Sequence, residues 1–138
     1  LEFVATVNGI DFYNDSKSTN ITSTQIALSS FSKPTVLLLG GLDRGHSFDD
    51  LKDYLKYVKF IAAYGETRER IKDFSVRNSI PCKVVETLEE ATSAAYKAAE
   101  PGDVVLLSPA CASWDQFRDF EVRGNMFKEC IRKLQGMA

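Results

Sequence analysis

This sequence is short of most features that announce a function. It holds one histidine and three cysteines in 138 residues. Cys82, Cys111 and Cys130 are odd in number and lack C-x-x-C spacing, so a disulfide framework or a zinc site is not expected, and the thiols read as reduced. His46 has no second His or Cys at ligand spacing, so no metal is expected there. No apolar run approaches the roughly 20 residues that span a bilayer, and no secretory signal pattern is visible. The expectation is a cytoplasmic protein with no membrane association. Neither sign of charge dominates: 17 Lys and Arg stand against 19 Asp and Glu, a net charge of −2. That balance argues against a general nucleic-acid partner. Repeats, linkers and low-complexity segments are also missing, and neither a G-x-G-x-x-G nor a Walker A sequence occurs, so the chain has no recognised phosphate cradle.

What remains is a globular composition, 44% hydrophobic and 26% charged, of a size that one domain can bury around a real core. Phe3 to Val7 and Ile10 to Tyr13 flank Asn8-Gly9, the pair favoured in type I′ hairpin turns. Four further strands follow: Thr35 to Leu39, Val58 to Tyr64, a short Pro81 to Val85 placed near a sheet edge, and Val104 to Leu107. Helices are expected over Ile21 to Phe31, after a Ser47 cap with Phe48, Leu51 and Leu55 inward, and over Glu66 to about Phe74. A T-x-x-E capping box at Thr87 opens another to Ala99. The last bears Gly124, Phe127, Ile131 and Leu134 on one face and ends at Gln135-Gly136. Ser113 and Gln116 fit an S-x-x-Q box, which places a helix start there. Strands alternating with helices predict an α/β, Rossmann-like three-layer domain. Its sheet of about six strands is mostly parallel, with one antiparallel strand from the hairpin and helices on both faces.

Three segments hand a strand over to a helix: NDSKSTN from Asn14, GGLDRGH from Gly40, and SPACASWDQF from Ser108. If their strands are parallel, all three open on one edge of the sheet, where α/β folds place ligands. Together they offer Lys17 and Arg44 as cations, Thr19 and Ser113 as hydroxyls, and Asp15 as an acceptor. Two cations with neutral donors suit a small dianion or a phosphorylated ligand. A solvated lysine and ordinary tight connections remain the plainer reading of the same residues. Cys111 in the third loop reads as a small buried thiol rather than a nucleophile.

The same loops resemble the C-terminal domain of the D-glutamate-adding family of Mur ligases. NDSKSTN matches the family's N-D-S-K-x-T-N, and the stretch from Ser108 to Phe127 matches S-P-A-x-A-S-x-D-Q-F-x-x-F-x-x-R-G-x-x-F; the likeness runs from the hairpin to the terminal helix. It implies a peptidoglycan-synthesis ligase. In that family ATP phosphorylates the carboxylate of UDP-N-acetylmuramoyl-L-alanine, and the D-glutamate amine attacks the acyl phosphate. Carried over by position, Thr19, Arg44, Ser113, Trp114 and Phe120 fall where D-glutamate is held, and Asp15 and Lys17 where the domain meets the nucleotide. Arg44 stands where some members have lysine. ATP and Mg are implied to be bound mainly by a central domain, against which this one packs. The phosphate loop and magnesium ligands are not in this sequence, so no catalytic or metal-binding residue is assigned to it, and this polypeptide alone is expected not to catalyse ligation. The sequence begins at Leu1 rather than Met, within a strand-like pattern, and reads as a domain cut from a longer chain. A free-standing anion- or nucleotide-binding module and a Mur ligase domain for another amino acid are the alternatives.

Overall fold

A computed structural model describes residues 1–137. β1 (Glu2–Val7) and β2 (Ile10–Asn14) form the expected hairpin, and φ is positive at both turn residues, 51° at Asn8 and 79° at Gly9, as a type I′ turn requires. The chain continues through α1 (Ile21–Ser29), β3 (Thr35–Gly40), a 3₁₀ turn (Asp49–Tyr54), β4 (Val58–Tyr64) and α2 (Arg68–Arg77). β5 (Cys82–Val84), α3 (Leu88–Ala98), β6 (Val104–Leu107) and α4 (Phe120–Met137) complete it.

The six strands make one sheet in the order β1-β2-β6-β3-β4-β5. Only the β1–β2 pair is antiparallel, and β5, interrupted by Lys83, sits at an edge as expected. Alternation along the central strands divides the core in two. Leu37, Leu39, Ile61, Ala63, Val104 and Leu106 face α1, the 3₁₀ turn and α2, with Leu28, Leu51, Ile71 and Phe74. Val36, Leu38, Ala62, Val105 and Leu107 face α3 and α4, with Leu88, Ala91, Ala95, Phe127 and Ile131. This is the three-layer architecture that the strand–helix alternation predicts.

Several helix boundaries differ from the sequence reading, α2 running on to Arg77 and α3 ending at Ala98 among them. The first helix ends at Ser29 rather than Phe31. Ser47 is not a helix cap: its Oγ accepts from Asp49 N at 3.1 Å, and the element that follows is a 3₁₀ turn. α2 opens at Arg68, after Thr67 rather than at Glu66. α4 runs through Gly136 to Met137, since glycine weakens an exposed last turn without forbidding it. The largest shift concerns Ser113, which caps no helix. Its carbonyl closes one turn by accepting from Gln116 N at 3.1 Å and Phe117 N at 2.8 Å. α4 begins seven residues further on, where Asp119 Oδ1 accepts from Val122 N at 2.9 Å. The turn goes no further because its side chains bond outward: Asp115 Oδ2 accepts from Glu66 N at 3.1 Å, and Gln116 donates to the Glu86 carbonyl at 2.6 Å.

Candidate functional site

Because β2, β6 and β3 are parallel neighbours, their carboxyl ends deliver all three handover loops to one edge. Backbone hydrogen bonds then stitch the loops together. Asp15 N donates to Leu107 O at 2.8 Å, Gly40 N to Pro109 O at 3.2 Å, and Leu42 N to Ala112 O at 2.9 Å. The third loop also holds Ala110 in the left-handed region, at φ 61°, a conformation that costs an alanine about 1–2 kcal/mol. Gly41 makes the close approach possible. Its φ is +142°, and a Cβ there would lie 2.4 Å from Ala112 O and 2.7 Å from Cys111 Cβ.

The edge carries a pocket of about 290 Å³ lined by Thr19, Arg44, Ala112, Ser113, Trp114, Asp119 and Phe120. The five residues singled out in the sequence for the amino acid therefore share one cavity. Arg44 extends its guanidinium over the Trp114 ring, 4.8 Å from the centroid, a cation–π contact of about 0.5–1 kcal/mol at an exposed site. The backbone on either side of Arg44 is pinned. Asp43 Oδ1 accepts from Gly45 N at 2.9 Å, and its carboxylate receives Arg70 of α2 at 2.9 and 3.1 Å. The Gly45 amide and then the Arg70 fork hold the Asp43 carboxyl below its usual range. Ser113 is only 2% exposed, and among the described residues neither its hydroxyl nor that of Thr19 has a hydrogen-bond partner. The pocket also meets the start of α4. There the first-turn amides lack intrahelical acceptors, and Asp119 satisfies that of Val122. Phe120 thus brings a backbone donor as well as a half-open ring. A guanidinium, two uncommitted hydroxyls and a helix N-terminus together favour carboxylates.

Asp15 and Lys17 line a separate cleft of about 370 Å³ with Ser18, Ser23 and Ile26. Lys17 is exposed and also borders a cleft of about 460 Å³ with Asn14, Phe120, Asn125 and Lys128. Asp15 is different. It is 4% exposed, and its Oδ2 accepts from Ser18 and from Ser108 Oγ, the latter at 2.9 Å. Its carboxylate joins the first loop to the third, and Lys17 is the member of the pair presented to solvent.

Cys111 is fully buried, and burial pushes its thiol up to about 11, so at neutral pH it is protonated and a poor nucleophile. Its Sγ lies 3.7 Å from His46 Nε2, and burial, then the Arg70 charge, lower the imidazole below its ordinary value. Among the described residues no group of three or more His, Cys, Asp or Glu side chains could hold a metal ion.

Two arginines escape a reading built on loops. Arg70 holds the Arg44 loop from α2, as described. Arg123 on α4 is completely buried. Its Nε donates to Ser16 Oγ at 2.8 Å, one terminal nitrogen to Cys111 O at 2.8 Å, and the other to Ser16 O at 2.5 Å. The sequence held one signal for it: 123, 127 and 131 share the spacing of a single buried helix face.

Comparison with known proteins gives concordant results. The sequence pattern of the family described as Mur ligase, glutamate ligase domain, matches residues 1–111. The chain is 52% identical over 136 residues to the UDP-N-acetylmuramoylalanine–D-glutamate ligase of Bacillus subtilis, and 49% identical over 134 residues to that of Shouchella clausii. These alignments cover 98% and 97% of this chain, which spans about 30% of the length of either relative. Among solved structures, a murein peptide ligase from Psychrobacter arcticus superposes with a TM-score of 0.64 at 13% identity, covering 96% of this chain and 28% of that one. The UDP-N-acetylmuramate–alanine ligase of Thermotoga maritima gives 0.62 at 14% identity, with 95% and 29% covered. At such identities these two likenesses speak for the fold alone.

Proposed function

Because this chain belongs to the Mur ligase, glutamate ligase domain family, we propose that it is the amino-acid-binding domain of an ATP-dependent, amide-forming ligase. That ligase adds D-glutamate to UDP-N-acetylmuramoyl-L-alanine in cytoplasmic peptidoglycan synthesis. The observation that carries the reading is the pocket, where Arg44, the free hydroxyls of Thr19 and Ser113 and the opening amides of α4 converge. D-Glutamate brings two carboxylates into a small volume, and burying them needs this kind of charged and neutral donor set. The family and the names of the relatives support D-glutamate as the amino acid.

The reaction balances as an acyl transfer. ATP phosphorylates the nucleotide-sugar peptide's carboxylate, giving ADP and an acyl phosphate. The uncharged amine of D-glutamate then attacks the acyl carbon, the C–O bond to phosphate breaks, and inorganic phosphate leaves with the proton that the nitrogen gives up. This chain's part is to hold the amine donor by its carboxylates and bring it to the acyl phosphate when the domains close, a contribution of positioning. Lys17, exposed at the same edge, is suited to meet ATP phosphates as a point charge. ATP and its magnesium, which needs only one or two protein carboxylates beside the phosphates, are held mainly by the central domain of the longer enzyme. This polypeptide by itself is accordingly inactive in ligation.

An amino-acid specificity assay on the ligase carrying this chain tests the reading. Amide formation with D-glutamate and none with L-lysine is expected. Preference for L-lysine would place the chain with a different amino-acid class, and ligation by the isolated chain would overturn the division of labour.

A further inference from the structure

We propose that Arg123 is a positioning residue that holds the amino-acid loop and the nucleotide loop in one register, so that the two sites fail together when it is lost. The inference rests on the functional reading above. Arg123 contacts neither pocket, and among the described residues no carboxylate lies within ion-pair distance of its guanidinium. All three of its hydrogen bonds go to neutral acceptors on two loops, Ser16 Oγ and O at 2.8 and 2.5 Å and Cys111 O at 2.8 Å. Ser16 directly precedes Lys17, and Cys111 lies two residues before Ser113. The second loop passes beside the same group, since a Cβ at Gly41 would come within 3.4 Å of an Arg123 terminal nitrogen. Ser16 Oγ in turn donates to Phe120 O at 2.6 Å, which closes a ring back onto the first residue of α4.

Burying a guanidinium without a counter-ion is a poor way to stabilise a core, because an apolar side chain of similar volume often does as well or better. What an apolar side chain cannot do is reach three oxygens on two segments at fixed angles. The planar fork does so with its geometry set by bonding rather than by rotamer choice. A lysine has one nitrogen and cannot span both loops. Arg123 therefore serves loop register more than stability.

The test compares Arg123→Lys and Arg123→Met with Arg44→Ala and Lys17→Ala in the full-length ligase, measuring KM and kcat separately for D-glutamate and ATP. Arg123→Met fills the space without charge, so a folded variant is available even where lysine is poorly accommodated. Loss of charge-assisted hydrogen bonds to the loops is expected to raise both KM values together, each roughly tenfold or more, with kcat at saturation nearly kept. Arg44→Ala raises only the D-glutamate KM, and Lys17→Ala only that of ATP. A lower kcat with unchanged KM values, a shift for one substrate alone, or failure of both Arg123 variants to fold would each make Arg123 merely structural and overturn the proposal. Should Arg44→Ala leave the D-glutamate KM unmoved, the pocket assignment falls, while the paired response to Arg123 is still read from its own numbers.

Discussion

Replacing Gly41 by alanine tests the close packing of the loops, with Gly45 in the same loop as the comparison. Both residues have positive φ, +142° and +77°, so alanine costs about 1–2 kcal/mol in the left-handed region of Gly45 and about 1–3 kcal/mol in the more extended positive-φ region of Gly41. Both also gain about 0.4–1 kcal/mol from the reduced freedom of the unfolded chain. They differ in what the new methyl meets. At Gly45 there is nothing within 4 Å, whereas at Gly41 the methyl would lie 2.4 Å from Ala112 O and 2.7 Å from Cys111 Cβ. Neither contact is the loose end of a flexible side chain, and the Leu42–Ala112 hydrogen bond at 2.9 Å opposes separation of the loops. Overpacking of this kind costs about 1–3 kcal/mol, which is the expected difference between the variants. For a domain of this size 1 kcal/mol moves Tm by about 4 °C, so Gly41→Ala should melt roughly 4–12 °C below Gly45→Ala. Thermal unfolding followed by circular dichroism measures both. Equal melting temperatures would refute the argument that the second and third loops of the pocket are packed through Gly41.

Arg44→Ala removes a charged donor worth about 1.5–3 kcal/mol, and should raise the D-glutamate KM of the ligase by about 10- to 150-fold while ATP kinetics stay near normal. Ser113→Ala removes a neutral hydrogen bond of about 0.5–1.5 kcal/mol and should raise the same KM by a few-fold; no change would mean that its hydroxyl does not touch the amino acid. Asp43, whose carboxyl is held low by the Gly45 amide and Arg70, contributes stability that is present above its ordinary carboxylate value and lost as pH falls through the lower folded one. Asp43→Asn should therefore flatten the acid limb of the stability profile, and an unchanged limb in pH-dependent melting would remove the argument. At pH 8 iodoacetamide should label half-buried Cys82 and Cys130 well before Cys111, whose thiol is buried and pushed up to about 11; early labelling of Cys111 by peptide mass spectrometry would contradict the packed loop.

The fold was legible where local chemistry and tertiary context agree. Asn8-Gly9 specifies its turn by φ, Thr87 and Glu90 form both bonds of their capping box, and Val104 to Leu107 is apolar on both faces because helices cover the sheet on both sides. Ser113 shows the opposite case. Its S-x-x-Q pattern is a valid local signal, yet Asp115 and Gln116 bond to the β4–α2 and β5–α3 connections and leave the helix to Asp119. Thr19, Arg44 and Ser113 were readable because parallel strands put their loops at one edge, whereas Trp114 and Phe120 came from the family resemblance alone. What holds the loops was not readable, for Asp15, Arg70 and Arg123 act through partners remote in sequence. An arginine in a helix reads as solvated until its neighbours on the same face are seen to be Phe127 and Ile131.

An amide-resolved NMR titration of this chain with D-glutamate and L-glutamate tests the central assignment most directly. Saturable shifts at Thr19, Arg44, Ser113 and Phe120, larger for the D enantiomer, are the predicted result. Shifts that map elsewhere, equal responses to both enantiomers, or silence at concentrations that saturate the full-length ligase would contradict a preformed amino-acid site in this pocket.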